Sequence, residues 1–257
     1  MKPPVESDPW AALRRFTPAR IALGRAGGSL PTQALLEFSL AHAQARDAVQ
    51  VTLDVPGVLR QLAAAGYPSL VVESAARDRE QYLRRPDAGR RLSEASLAQL
   101  AALAPPVPSR LAILIGDGLS AAAAERHAVP LLNALRLRLA HWLWAPVVLA
   151  RQARVALGDH VGALLRAEAV VVLIGERPGL SAPDSLGIYL TYAPRLGRTD
   201  AERNCISNVR PAGLSYEQAA QRLALLLGAA RRLGASGVAL KDESDPPWNP
   251  LPEAAAR

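Results

Sequence analysis

The sequence predicts an α/β protein: a Rossmann-like, mostly parallel sheet flanked by helices, preceded by a smaller N-terminal helical domain. Three observations predict it. Residues 170–174 are an unbroken apolar run, Val-Val-Val-Leu-Ile, ending at Gly175. The run is too short and too uniformly apolar for a surface helix, and reads as a strand buried on both faces. Beyond residue 105, short apolar runs alternate with helical patterns, which implies right-handed crossovers and a parallel sheet. Before that point the chain reads mainly as helices, and the stiff connector Pro105-Pro106-Val107-Pro108 divides residues 1–104 from residues 105–257.

In chain order, residues 1–15 read as a Pro-containing arm with one amphipathic turn at Trp10 to Leu13, and residues 24–30 as a glycine-rich loop. Thr32, just after Pro31, opens a helix carrying Leu36, Leu40 and Ala43 at helical spacing. A second helix runs from Val55 to about Ala65, with Gly66 as its C-terminal cap. Leu70-Val71-Val72 is a short strand, and residues 77–85 and 93–103 are helices. After the connector come a strand at 111–115, a helix at 119–139 and a strand at 146–150. A short helix closes at 162–167, and the strands at 170–174 and 188–191 follow. Residues 203–208 read as the end of a polar loop holding Cys205, the one cysteine in the protein. The long helix at 216–233 stops at Gly234, and the Pro-rich tail from Asp245 cannot continue a helix.

Bulk properties exclude several classes. No stretch of the 257 residues approaches the roughly 20 uninterrupted apolar residues of a membrane span. The first residues lack the apolar segment of a secretion signal. A single cysteine cannot close an internal disulfide, which fits a reducing cytosol. The net charge of +7 raises nucleic acid as a ligand. However, the positive charge is scattered arginine, with Lys2 and Lys241 the only lysines, and aromatic residues are only 4% of the chain. That leaves no stacking platform, and nucleic-acid binding is not expected.

In an open α/β sheet, ligands bind just past the carboxyl ends of strands. Two places qualify here. Gly116-Asp117-Gly118-Leu119-Ser120-Ala121 fits the relaxed dinucleotide fingerprint and makes an NAD(P)-binding oxidoreductase the alternative reading. Against it, Asp117 puts a carboxylate where a pyrophosphate would sit, and the next strand ends in Arg151, which would suit only a 2′-phosphate. The plainer reading is a tight strand-to-helix turn. The second place is Glu176, which either caps local amides or pairs with Arg177, or else accepts hydrogen bonds from the amide groups of a ligand. Cys205 reads as a small buried apolar residue or a ligand contact; no histidine near it in sequence makes it a nucleophile. The four histidines, His42, His127, His141 and His160, have no metal-ligand spacing. There is no G-x-S-x-G elbow and no P-loop. Trp142 and Trp144 with Leu139 and Leu143 form an apolar cluster, either core or a face for a partner chain.

Longer motifs carry a resemblance. GERPGLSAPDSLGIYLTY (175–192) together with RNCISNVRPAGLSYEQAA (203–220) resembles the small (light) subunit of ethanolamine ammonia-lyase, an adenosylcobalamin-dependent enzyme. TPARIALGRAGGSLPTQALLEFSLAHAQARDAV (17–49) is similar to that subunit's opening helical region, and IGDGLSA (115–121) to its first core strand and loop. The likeness runs from about Phe16 to about Leu240. It implies an ammonia-lyase that converts ethanolamine to acetaldehyde and ammonia. In that family the light chain clamps adenosylcobalamin against a large barrel subunit that holds the substrate site, and six large and six small chains assemble. The resemblance assigns cofactor contacts to Val155, Glu176 and Cys205, and neither a catalytic residue nor a metal ligand to this chain. Cobalt is expected to keep the cofactor's own dimethylbenzimidazole. The Asp-x-His-x-x-Gly motif of histidine-ligating cobalamin domains is absent, since Asp159 and His160 are adjacent. The N-terminal region and the Trp142 cluster are the expected docking surfaces. A cytosolic location follows, with packaging in a bacterial microcompartment tied to a signal expected in the N-terminal arm.

Overall fold

The structure, a computed structural model, describes residues 5–103 and 111–243. The connector at 105–108 and the tail from Asp245 lie outside the described residues. Six strands form one sheet: β1 (Ser69–Glu73), β2 (Leu111–Gly116), β3 (Val147–Arg151), β4 (Ala169–Gly175), β5 (Leu186–Tyr192) and β6 (Asn204–Val209), in the order β1-β3-β2-β4-β5-β6. The β1–β3, β3–β2 and β2–β4 pairs are parallel, and the β4–β5 and β5–β6 pairs antiparallel. The mostly parallel sheet is therefore present, with β5 alone reversed. Its reversal follows from length: ten residues separate Gly175 from Leu186, fewer than the dozen or so that a parallel crossover needs.

The helices α1 (Thr32–Gln50), α2 (Val55–Ala64), α3 (Arg79–Arg84), α4 (Glu94–Ala102), α5 (Ala121–Arg138), α6 (Leu157–Leu164) and α7 (Tyr216–Leu233) surround the sheet. On one face α2, α5 and α7 pack around Ile113, Val171, Leu173 and Leu190. On the other, α4 and α6 cover Leu114, Val148, Val170 and Val172. Both faces of β2 and β4 are thus covered, which is why these strands read as continuous apolar runs. The last helix begins with a capping box between Ser215 and Gln218 and ends at Gly234, whose φ is +74°.

The sheet crosses the expected boundary at residue 104. β1, which precedes it, pairs with β3 over its whole length, from Ser69 opposite Val147 to Glu73 opposite Arg151. Leu62 of α2 and Leu100 of α4 are buried in the same two cores as the later strands. A five-residue strand cannot stand alone, and β1 is held in the same sheet as the strands after residue 104. What stands apart is the first part of the chain. In α1 only Ala41 is buried, while Leu36 and Leu40 are more than half exposed.

Residues 203–208, expected as a polar loop, contribute an edge strand, β6. Ile206 and Val209 point into the core, while Cys205, Ser207 and Asn208 face outward. An edge strand with one wet face carries polar residues without ceasing to be a strand.

Candidate functional site

From β2 the chain crosses through α5 to β3, on one side; from β4 it continues to β5, on the other. The two loops diverge at the carboxyl ends of β2 and β4, the place where an open sheet leaves a crevice.

The first loop is closed by the chain itself. Gly118 has φ +55°, and a Cβ there would sit 2.2 Å from the Gly175 carbonyl oxygen. The Leu119 amide donates to that same oxygen at 3.0 Å, and the Ser120 hydroxyl donates to the Pro183 carbonyl at 2.9 Å. Asp117 is buried and accepts the Gln152 and Ala153 amides, each at 2.9 Å, which ties the end of β2 to the turn after β3. Burial pushes its carboxyl pKa up, against the pull of those amides and of Arg79, whose guanidinium lies 3.6 Å away. Arg151 faces Glu73 at 3.4 Å. The glycine, the aspartate and the serine of the dinucleotide-like motif all serve the turn, leaving no open cradle for a pyrophosphate. That corrects the nicotinamide reading.

Beside this turn lies a crevice of about 430 Å³ whose walls include Tyr82, Leu119, Arg154, Val155, Ile174, Glu176 and Tyr189. Val155 enters it from the turn ahead of α6, where its carbonyl accepts the Gly158 amide at 3.0 Å. Glu176 enters from the first position after β4. Its backbone amide donates to the Ser185 carbonyl at 2.9 Å, and its Oε2 accepts from the Ser185 hydroxyl and from the Asn208 amide, the latter at 3.3 Å. Among the described residues no donor reaches Oε1, and Arg177 makes no ion pair with the carboxylate. One oxygen therefore fixes the side chain and the other stays open.

Cys205 does not line the crevice. It sits exposed on β6, directly opposite Tyr189 of β5, with its sulfur 3.4 Å from the Ser207 hydroxyl. The structure thus places Val155 and Glu176 together and sets Cys205 one strand over. Tyr189, which sequence reasoning missed, links them. Burial first, then the Cys205 thiol and the Glu176 carboxylate, pushes its phenol pKa well up and keeps it protonated. Its signal was the alternation in Leu-Gly-Ile-Tyr-Leu-Thr-Tyr: Ile188 and Leu190 face one core and Tyr189 the other.

Two further supports were not legible. Two guanidinium groups lie over the Tyr82 ring, Arg79 4.7 Å and Arg154 4.3 Å from its centre, and its hydroxyl donates to the Ala153 carbonyl at 3.1 Å. Arg203 and Asp159 form a buried bidentate ion pair, both bonds 2.8 Å, joining the residue before β6 to α6. Trp142 and Leu139 are core residues, and Arg231 lies over the Trp142 ring at 5.5 Å; of that cluster only Leu143 is exposed, at 53%. Among the described residues no group of three or more His, Cys, Asp or Glu is arranged to hold a metal, and no helix is long and apolar enough to cross a membrane.

A family model for the ethanolamine ammonia-lyase light chain matches residues 7–241. The ethanolamine ammonia-lyase small subunits of Pseudomonas putida and Xanthomonas campestris pv. campestris are each 57% identical to this chain, covering 94% and 93% of it and 90% of their own length. That of Ralstonia nicotianae is 55% identical over 95% of this chain and 92% of its own. A match of this extent shows that the chain belongs to the ethanolamine ammonia-lyase light chain family.

Proposed function

We propose that this chain is the small subunit of an adenosylcobalamin-dependent ethanolamine ammonia-lyase, which converts ethanolamine to acetaldehyde and ammonia, and that it holds one edge of the cofactor. The observation that carries this reading is the open Oε1 of Glu176 in a crevice otherwise walled by apolar and aromatic groups. Cobalamin is rimmed by primary amide side arms, whose N–H groups need acceptors, and its ring offers apolar edges. The residues present fit such a group. A crevice of about 430 Å³ covers an edge of a tetrapyrrole and cannot enclose one, in keeping with a clamp whose other jaw is the large subunit.

When bound, the cofactor supplies radical chemistry by homolysis of its cobalt–carbon bond. The chain's own residues bind and orient. Glu176 accepts a side-arm amide, Val155 and Ile174 exclude water from the ring edge, and Cys205 extends the contact along β6. The substrate site belongs to the large subunit. Docking falls to the N-terminal region, where Trp10, Phe16, Leu35, Leu36, Phe38 and Leu40 are exposed. An apolar groove of about 590 Å³ there runs between Leu23, Leu35, Phe38 and Leu180. Six large and six small chains make up the assembly, in the cytosol; packaging into a microcompartment would depend on the arm.

The test is reconstitution. The isolated chain is expected to release no ammonia from ethanolamine and to restore turnover when added to a large subunit. Glu176→Ala is expected to lower cobalamin retention by the complex while leaving the circular dichroism of the chain unchanged. Full retention by that variant would remove Glu176 from the site, and turnover by the chain alone would overturn the division of labour.

A further inference from the structure

Gly187 of β5 leaves room between a carboxylate oxygen and the edge of a phenol ring. A methyl group built there would lie 3.0 Å from Glu176 Oε1 and 3.2 Å from Tyr189 Cε2. The glycine therefore lets the open carboxylate oxygen and the phenol ring share the mouth of the crevice, which both residues line. Their hydrogen-bonding capacities are complementary. An ionised carboxylate only accepts, whereas a protonated phenol can donate. The phenol's neighbour on β6 is the Cys205 sulfur, a weak acceptor that a carbonyl oxygen readily displaces.

We infer that Glu176 and Tyr189 together form a two-point reader for a primary carboxamide, Glu176 Oε1 taking the amide N–H and the Tyr189 hydroxyl donating to the amide C=O. The inference rests on the cobalamin reading above and deepens it: the pair selects a side-arm amide of the corrin over the corresponding carboxylic acid. A carboxylate in place of that amide would face Glu176 with like charge and would offer it no N–H. Ser185 and the Asn208 amide hold Oε2, so the carboxylate cannot swing away to relieve the contact.

The experiment uses the complex of this chain with the large subunit and measures Kd spectroscopically. The probes are cyanocobalamin and its six monocarboxylic acids, each with one side-arm primary amide hydrolysed. Wild type is expected to bind at least one of these acids about ten-fold or more weakly than cyanocobalamin. Glu176→Gln should bring that acid and the amide to within about three-fold of each other, because a neutral amide accepts and donates. Tyr189→Phe should weaken cyanocobalamin about ten-fold, the loss of roughly one hydrogen bond, with an unchanged circular dichroism spectrum. If all six acids bind wild type as well as cyanocobalamin does, the reader does not exist. If the acids are discriminated but Tyr189→Phe binds like wild type, Tyr189 is not part of it. Failure of the wild-type complex to bind cyanocobalamin at all would instead overturn the cobalamin reading.

Discussion

Replacing Arg203 by methionine should unfold the chain far more readily than its distance from the crevice suggests. Arg203 and Asp159 have side chains only 2% and 3% exposed. The guanidinium is fully engaged: Nη1 donates to Asp159 Oδ1 and to Thr191 Oγ1, both at 2.8 Å, and Nη2 to Asp159 Oδ2 at 2.8 Å and to the Arg198 carbonyl at 3.0 Å. Nε reaches Asp200 at 3.4 Å. A buried pair is tolerated only when its geometry and remaining hydrogen bonds are this complete. Arg203→Met leaves the Asp159 carboxylate in the core without a cation, a change that costs about 3–5 kcal/mol. At about 2–4 °C per kcal/mol for a chain of this size, Tm should fall by roughly 10 °C.

The double variant Asp159→Leu/Arg203→Met separates charge from packing. It removes both ions and orphans only the Thr191 hydroxyl and the Arg198 carbonyl, so it should cost about 1–3 kcal/mol and recover part of the loss. Urea titration of the single and double variants, followed by circular dichroism, gives both numbers. A single variant within about 1 kcal/mol of wild type, or a double variant no more stable than the single, would show that the pair is not the buried, mutually dependent unit described. The pair also joins the segments that carry two of the proposed contacts. Arg203 is two residues before Cys205, and Asp159 is on the helix that Val155 leads into.

Two glycines with positive φ should respond differently. Gly118→Ala drives a methyl into the Gly175 carbonyl at 2.2 Å and should cost about 2–4 kcal/mol; Gly234→Ala has no heavy atom within 4 Å and should cost about 1 kcal/mol, by urea titration. Burial, outweighing the attraction of Asp184, holds the His127 imidazole below its usual pKa of 6.5. The native state then binds fewer protons than the unfolded one, so this contribution is fully present above about pH 6.5 and is lost as pH falls through the window beneath it. His160 is shifted the same way, again first by burial. His127→Gln should accordingly flatten part, not all, of the acid-side fall in Tm, and an unchanged slope would contradict the assignment.

The sequence announced those elements whose environment is uniform along the strand or whose ends are marked locally. β4 is buried at every position, so its apolar run needed no partner to be read. The last helix carries both its signals, Ser215 with Gln218 and then Gly234, within its own residues. β6 was hidden because it lies at the edge and alternates wet and dry. The reversal of β5 was hidden because strand direction is set by the length of the preceding loop, not by the strand. The Arg203–Asp159 pair spans 44 positions, and no local pattern announces such a contact. At the site, residue chemistry gave the location, past the ends of β2 and β4, and left Glu176 as either a cap on local amides or an acceptor for a ligand; its Oε2 does accept the Asn208 amide. Val155 and Cys205 came only through the family resemblance. Tyr189 was found by neither: the alternation along β5 gives the face it points to, but its neighbour depends on which residue of β6 lies opposite.

On the proposed reading, the half-used carboxylate of Glu176 decides where affinity and selectivity reside. An ionised carboxylate has about four lone-pair sites, and here Oε2 meets two donors while Oε1 meets none among the described residues. Glu176 is only half-buried, so solvent has access to its carboxylate in the free chain. A ligand amide that takes the solvent's place exchanges one hydrogen bond for another and gains little net free energy. Affinity must then come mainly from apolar contact with Val155, Ile174 and the aromatic walls, at roughly 25 cal/mol per Å² removed from water. The penalty falls on a ligand that excludes the water and offers no N–H, since it leaves Oε1 buried and unsatisfied. A wall substitution such as Val155→Ala should therefore weaken amide and acid ligands alike, whereas Glu176→Gln should alter the ratio between them. If both substitutions shifted all ligands equally, the open oxygen would have no part in recognition.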